Sequence, residues 1–161
     1  MSGQGLYANA ETMYTNHVAL IDKYIEESGS QFAEFKDEYL EVANLSLQKL
    51  EARNRDQLFN DAYLLYSYAS CLQDEVNRHK IMLNWANNQL NNLVAVHKND
   101  YGFDKYTKHE AKVPLMVAEN SYAAKVDEMK LVATNKLQSL EGKIYELKKK
   151  GDILTEKAKR Q

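Results

Sequence analysis

The chain has 161 residues with one proline, six glycines, 27% charged and 44% hydrophobic residues, and a net charge of -2. So little proline and glycine argues against a turn-rich sheet and for long helices, and the hydrophobic share suffices for a core, which excludes wholesale disorder. Cys71 is the single cysteine, so an internal disulfide and a cysteine-cluster zinc site are both excluded.

No apolar run approaches membrane-spanning length, and the opening MSGQGLYANAETMY lacks the apolar centre of a signal peptide. The expected location is therefore the cytoplasm, with no membrane partner. The small net charge hides an asymmetry: residues 1–100 carry 8 basic and 14 acidic side chains, whereas residues 101–161 carry 13 and 9. Such a chain can meet its own copies head to tail or offer its basic half to a polyanion.

In chain order, Tyr14, His17 or Val18, Ile21 and Tyr24 or Ile25 predict a first helix, ended by Ser28-Gly29-Ser30. A second helix is expected through Phe32, Phe35, Tyr39, Val42, Leu47 and Leu50, with Arg53-Asn54-Arg55-Asp56 as a separator whose effect stays open. From Leu58 to His97 the spacing alternates strictly between four and three: Leu58, Ala62, Leu65, Ala69, Leu72, Val76, His79, Leu83, Ala86, Leu90, Leu93, His97. That is a heptad seam, and it needs a partner helix along its whole length. His79 and His97 place polar rings on it and mark ends or adjustments.

The segment KNDYGFDKY, residues 98–106, loses the period and carries turn chemistry in Asn99, Asp100 and Gly102, which predicts a hairpin bend. The only proline, Pro114, makes Lys105 to Val113 either a short separate helix or an extended approach to a new start. A second seam follows through Tyr122, Val126, Met129, Ala133, Leu137, Leu140, Ile144, Leu147, Gly151, Leu154 and Ala158. Its two four-residue steps from Met129 to Leu137 form a stutter, and Gly142 and Gly151 weaken a helix that the period nevertheless carries through. The expected fold class is all-α: long antiparallel helices with coiled-coil seams, a hairpin bend near 98–106, and an oligomeric state. Residues 1–55 are expected as a helical extension and 56–161 as the hairpin core, one structural unit overall. Leu58, Leu65, Leu72, Val76, Leu83, Leu90, Leu137, Leu140, Ile144, Leu147 and Leu154 are the expected oligomerisation residues.

Standard catalytic arrangements are missing from the sequence: there is no nucleophile beside a base, no glycine-rich phosphate loop and no metal-ligand spacing. His109-Glu110 lacks the second histidine of a helical zinc motif. No enzymatic activity, metal or cofactor is expected. Polar material concentrates instead at Arg78-His79-Lys80 and in Asn84 to Asn92, where five asparagines in nine residues form either a plain polar face or a hydrogen-bonding face for a partner. Lys105, Lys108 and Lys112 would share one face of a helix, with Tyr101, Phe103 and Tyr106 close by. Lysine beside aromatic rings suits single-stranded nucleic acid, although the same rings can simply pack the bend. The basic tail, Lys143, Lys148 to Lys150, Lys157, Lys159 and Arg160, is diluted by Glu141, Glu146, Asp152 and Glu156.

Leu65-Tyr66-Ser67 opening a helix, the Met82-Leu83 step, the turn near Tyr101-Gly102, and Asp104-Lys105-Tyr106 with Lys108 and Glu110 resemble the UvsY-type phage recombination mediators. The resemblance covers roughly residues 60–161. It implies a small helical protein that forms ring-like homo-oligomers, binds single-stranded DNA, and helps load a RecA-like recombinase in place of single-strand-binding protein, in the host cytoplasm. Where that family carries a lysine-arginine run before the turn, this chain has Asn91 to Val96, followed by His97-Lys98. The expected DNA contacts are therefore Arg78, Lys80, His97, Lys98, Lys105, Lys108 and Lys112. Asp37, Glu38, Glu41, Asp74 and Glu75 form an expected protein-facing surface, because their sign repels DNA. The alternative is a structural coiled-coil adaptor or scaffold without nucleic-acid binding.

Overall fold

A computed structural model describes residues 4–30 and 37–161 of the chain, with side chains described from Met13 onward and omitted at Gly29 and Ser30. The described residues are all-α, in six helices: α1 Gln4–Ser30, α2 Asp37–Ala43, α3 Leu47–Glu51, α4 Arg55–Val96, α5 His109–Glu119 and α6 Ser121–Lys159. No strand occurs among them.

Helix α1 runs through Ser28-Gly29-Ser30 before it ends. The expected second helix is two short ones, and its Phe32 and Phe35 lie outside the described residues. The break falls at Asn44-Leu45-Ser46, where local hydrogen bonding outcompetes helix continuation. Asn44 Nδ2 donates back to the Leu40 carbonyl at 2.9 Å, and the Ser46 hydroxyl accepts the Lys49 amide at 3.2 Å as the cap of α3. Arg53-Asn54-Arg55-Asp56 does separate helices. The Gln57 amide donates to Asn54 Oδ1 and the Asn54 amide donates to Gln57 Oε1, both at 2.9 Å, a reciprocal box that starts α4.

Helix α4 has 42 residues and α6 has 39, so each reaches roughly 60 Å. Their residues divide between two compact units, residues 1–30 with 80–134 and residues 31–79 with 135–161. In the first unit Ile21 and Tyr24 of α1, Leu90 and Leu93 of α4, Met116 of α5, and Val126 and Met129 of α6 belong to one buried cluster. In the second, α4 and α6 run antiparallel: Gln161 donates to the Arg53 carbonyl, and Tyr66 bonds Asp152. Val42 and Ala43 of α2 are buried here, and Lys150 Nζ donates to the Ala43 carbonyl at 2.8 Å, a cation on a helix C-terminus.

Every position of the α6 seam is buried, from Tyr122 to Ala158, as is every position of the α4 seam except Leu83 and His97, which are half-buried. The expected oligomerisation residues are therefore occupied within the chain itself. Leu58, Leu65, Leu72, Val76, Leu137, Leu140, Ile144, Leu147 and Leu154 are buried in the second unit and Leu90 in the first, where Leu83 packs partly buried. The cause is that each seam meets another helix of the same chain. Burying one such leucine contributes about 1.5–3 kcal/mol.

The two glycines of α6 differ. Gly142 is exposed, and a Cβ added there meets nothing within 4 Å. Gly151 is buried, and a Cβ there would lie 2.8 Å from the Tyr66 ring. Gly142→Ala is expected to raise stability by up to about 1 kcal/mol from helix propensity alone. Gly151→Ala is expected to lower it, by displacing Tyr66 from Asp152, yet to raise it when Tyr66 is first replaced by alanine. A double-mutant cycle followed by thermal or urea unfolding checks this, and additive effects would contradict the packing assigned to Gly151.

Candidate nucleic-acid interface

Helix α4 stops where Asp100-Tyr101-Gly102-Phe103 reverses the chain. Tyr101 has φ 57° and Gly102 φ 74°, and the Phe103 amide donates to the Asp100 carbonyl at 3.0 Å. Two central residues with positive φ make a turn of the I′ kind. Glycine adopts such φ freely, but a bulky tyrosine does so at a cost of about 1–2 kcal/mol. Contacts hold it there. The Tyr101 ring lies 5.3 Å from His97 and 5.7 Å from Phe103, and its hydroxyl accepts a 3.1 Å bond from Asn120 Nδ2. His97 Nδ1 in turn lies 2.9 Å from Asp100 Oδ2.

The next residues are organised by one carboxylate. Asp104 Oδ1 accepts from the Tyr106 amide at 2.8 Å and from the Thr107 hydroxyl at 3.0 Å, and the Asp104 amide donates to Thr107 Oγ1. These bonds, the Tyr106 amide first, hold the Asp104 carboxyl below its ordinary pKa. The loop so fixed leaves Tyr106 79% exposed, with Lys105 Nζ 4.9 Å above its ring.

Lys105, Lys108 and Lys112 do not share a helical face. Helix α5 begins at His109 with Lys108 as its extended cap residue, so Lys105 and Lys108 precede it and only Lys112 is helical. The interruption is at Lys108 itself, whose backbone is extended at φ -63° and ψ 145°. Of the two alternatives for the segment before Pro114, the short separate helix is found with later bounds: α5 starts at His109 and runs through Pro114, which is exposed. Lys112 is half-buried, 5.7 Å from the Phe103 ring. Lys98, Lys105 and Lys108 are exposed. Two of the three aromatic rings pack the bend, Phe103 buried and Tyr101 half-buried, while Tyr106 stands out. Of the asparagines, Asn91 Oδ1 lies 3.0 Å from His109 Nε2 and ties α4 to the start of α5.

Arg78 and Lys80 lie about 200° apart around α4, so they do not present one basic face. Arg78 belongs to the second unit, while Lys80 belongs to the first with the bend lysines. The acidic residues Asp37, Glu38, Glu41 and Asp74 are exposed and Glu75 is half-buried, all in the second unit.

Sequence reasoning passed over Asn120, and it placed Tyr14 on the first helix and Tyr122 on the second seam without giving either a role in a site. Asn120 alone joins α5 to α6, and its Oδ1 accepts the Ala123 amide at 3.0 Å. An asparagine just before a seam is a helix-start signal, so this residue was findable. Tyr122 stacks on Tyr14 with centroids 4.5 Å apart, and its hydroxyl lies 3.0 Å from His17 Nδ1 and 3.5 Å from Gln89 Oε1. Burial, and secondly Tyr14, push the Tyr122 pKa upward. Tyr14, Thr15, Val18, Leu93, His97, Asn120, Ser121, Tyr122 and Lys125 enclose an open cavity of about 580 Å³ in the first unit.

Among the described residues, no group of three or more His, Cys, Asp or Glu side chains could hold a metal ion, and no helix is long and apolar enough to cross a membrane. The chain matches no protein-family model, no curated protein and no solved structure.

His79, between Arg78 and Lys80, is 1% exposed, with Nε2 3.9 Å from Glu75 Oε2. Burial first, then the charges of Arg78 and Lys136, lower its pKa below the ordinary 6.5. The folded chain thus binds this proton more weakly than the unfolded chain does. The contribution of neutral His79 to stability is complete above pH 6.5 and is lost as the pH falls toward the lowered value. Unfolding midpoints of the wild type should drop more between pH 6.5 and 5 than those of His79→Leu; parallel curves would exclude this assignment.

Proposed function

We propose that this protein is a non-enzymatic recombination mediator that binds single-stranded DNA and helps a RecA-like recombinase displace single-strand-binding protein. The observation that carries the reading is the ordered loop after the bend. Exposed Lys98, Lys105 and Lys108 stand with Tyr106 on a backbone fixed by Asp104 and by the Tyr101 turn. Lysines at such positions hold phosphates, and an exposed ring accepts an unstacked base with little sequence preference. The likeness to the UvsY-type mediators points the same way, because its Asp104, Tyr106 and Lys108 are the residues that build and decorate this loop. Lys112 is a weaker contact, since it lies against Phe103. His97 takes part through the turn rather than as a surface cation.

A mediator must hold DNA and a recombinase at once, and Asp37, Glu38 and Glu41 on α2 are assigned to the recombinase. Ring-like self-association, with several copies of both surfaces, would raise the effective concentration of weak contacts. Because the heptad seams are occupied within the chain, contacts between copies fall to exposed apolar side chains such as Tyr63, 72% exposed, Tyr145 and Ile153.

Binding of a labelled oligonucleotide should be indifferent to sequence and weaken steeply with salt. Replacing Lys98, Lys105 and Lys108 together by glutamate should abolish most of it with helix content unchanged. The log–log salt slope should shrink by about 2, from about 0.7 per lost phosphate contact. Unchanged binding by that variant would remove this surface. No binding by the wild type even at low salt would leave the adaptor reading, with the exposed apolar side chains as its contacts.

The recombinase surface is tested by charge reversal, because a chain begun at Asp56 would lack Ile21 and Tyr24 of one core and Val42 and Ala43 of the other. Asp37→Lys, Glu38→Lys and Glu41→Lys together should leave DNA binding intact and remove stimulation in a strand-exchange assay. Light scattering of the same samples should show more than one chain per particle; a monomer would remove the ring.

A further inference from the structure

We propose that the cavity at the start of α6 takes one unstacked base of a bound single strand, seated against the ring of Tyr14. The proposal rests on the strand-binding reading above and extends it to a base site distinct from Tyr106.

The wall is pre-formed. Tyr14 is 36% exposed and stacks on Tyr122, centroids 4.5 Å apart. Tyr122 is fixed behind it by His17 and Gln89, and His17 meets the Trp85 ring edge-on at 5.5 Å. A ring backed by a buried ring, itself hydrogen-bonded to two helices, loses little freedom when a ligand stacks on it. Val18 and Leu93 add apolar lining. About 580 Å³ falls within the range of small-molecule sites and exceeds what one planar base requires.

Charge selects the base over the phosphate. The lysine and the histidine that line the cavity each face a carboxylate: Lys125 Nζ lies 2.7 Å from Asp22 Oδ1 and 3.6 Å from Glu128 Oε2, and His97 Nδ1 lies 2.9 Å from Asp100 Oδ2. Adding a phosphate would set it beside three carboxylates. A neutral planar group carries no such repulsion, and the exposed Ser121 hydroxyl can meet its polar edge. Stacking with so little edge contact gives affinity without sequence preference.

Continuity places this base on the same strand as the lysines. His97 lines the cavity and precedes Lys98, and Asn120, also in the lining, bonds the Tyr101 hydroxyl of the turn. A backbone held by Lys98, Lys105 and Lys108 therefore passes a cavity whose lining is bonded to the same turn.

The test compares a thymidine homopolymer with the same strand carrying abasic sites, on the full chain. Wild type should bind the intact strand about tenfold more tightly or better, since stacking on one ring is worth that much. Tyr14→Leu, which keeps an apolar contact on Tyr122, should shrink this difference by weakening only the intact strand, leaving the share that belongs to Tyr106; Tyr14→Phe should keep it whole. Equal wild-type affinity for both strands overturns the base site, and so does a Tyr14→Leu loss of equal size on both, while the phosphate reading stands if the three-lysine variant still fails to bind. A Tyr14-dependent preference that survives loss of the lysines keeps the base site and removes the lysine surface. Absence of wild-type binding to either strand at low salt overturns both.

Discussion

The antiparallel burial of the heptad seams is the constraint on which the rest depends. An alternation of four and three keeps one face of a long helix turned toward a neighbour. In this chain the neighbours are its own helices, so the seam of α4 is consumed by α6 and, in the first unit, also by α1 and α5. Small residues at Ala62, Ala69, Ala86 and Ala133, all nearly fully buried, allow close approach, and Gly151 admits the ring of Tyr66. Two helices of this length that run antiparallel must be joined by a reversal of the chain, and the reversal falls in a few residues after Val96. The strained Tyr101 is a consequence: it is tolerated because packed helices on both sides determine where the turn must close.

Long-period features were legible because they repeat. Each of the eleven α6 seam positions and ten of the twelve on the first seam are buried as the spacing requires, and the bend lies where the period fails. Short-range competition was less legible. Asn44, Ser46 and Asn54 each divert backbone hydrogen bonds to a side chain, and a pattern of apolar residues from Tyr39 to Leu50 contains no record of that choice. Nor does spacing reveal the extended backbone at Lys108, which leaves Lys105 and Lys108 before α5 rather than on it. Helical spacing of lysines says which face they would share only if the backbone is helical there.

Partner choice for the seams was not legible for another reason. A heptad pattern specifies that a face is buried and leaves open whether the cover is a second copy or the same chain. Intrachain cover arises from the tight turn at Asp100–Phe103, because a short connection makes α4 and the helices after the turn antiparallel neighbours at high effective concentration. Tyr14 illustrates a further limit. Its place on α1 was expected, but its stacking on Tyr122 joins residues 108 positions apart and leaves no trace in local spacing.

The charge asymmetry along the chain takes a different meaning once the helices are folded back. The first unit holds 8 basic and 10 acidic side chains, a net of -2, and the second holds 13 of each. The acidic first hundred residues and the basic remainder are thus largely mixed within each unit, and ion pairs such as Lys125 with Asp22 join the two. Neither unit carries a net positive charge that would draw a polyanion. Under the proposed reading, affinity for a strand must then arise at close range, from a few lysines within a Debye length of the phosphates and from rings that accept bases. That favours the loop of Lys98, Lys105, Tyr106 and Lys108 over the tail, where Lys150 is committed to the end of α2 and Lys159 to Glu156. It also makes stacking a larger share of the total, since few lysines make few phosphate contacts.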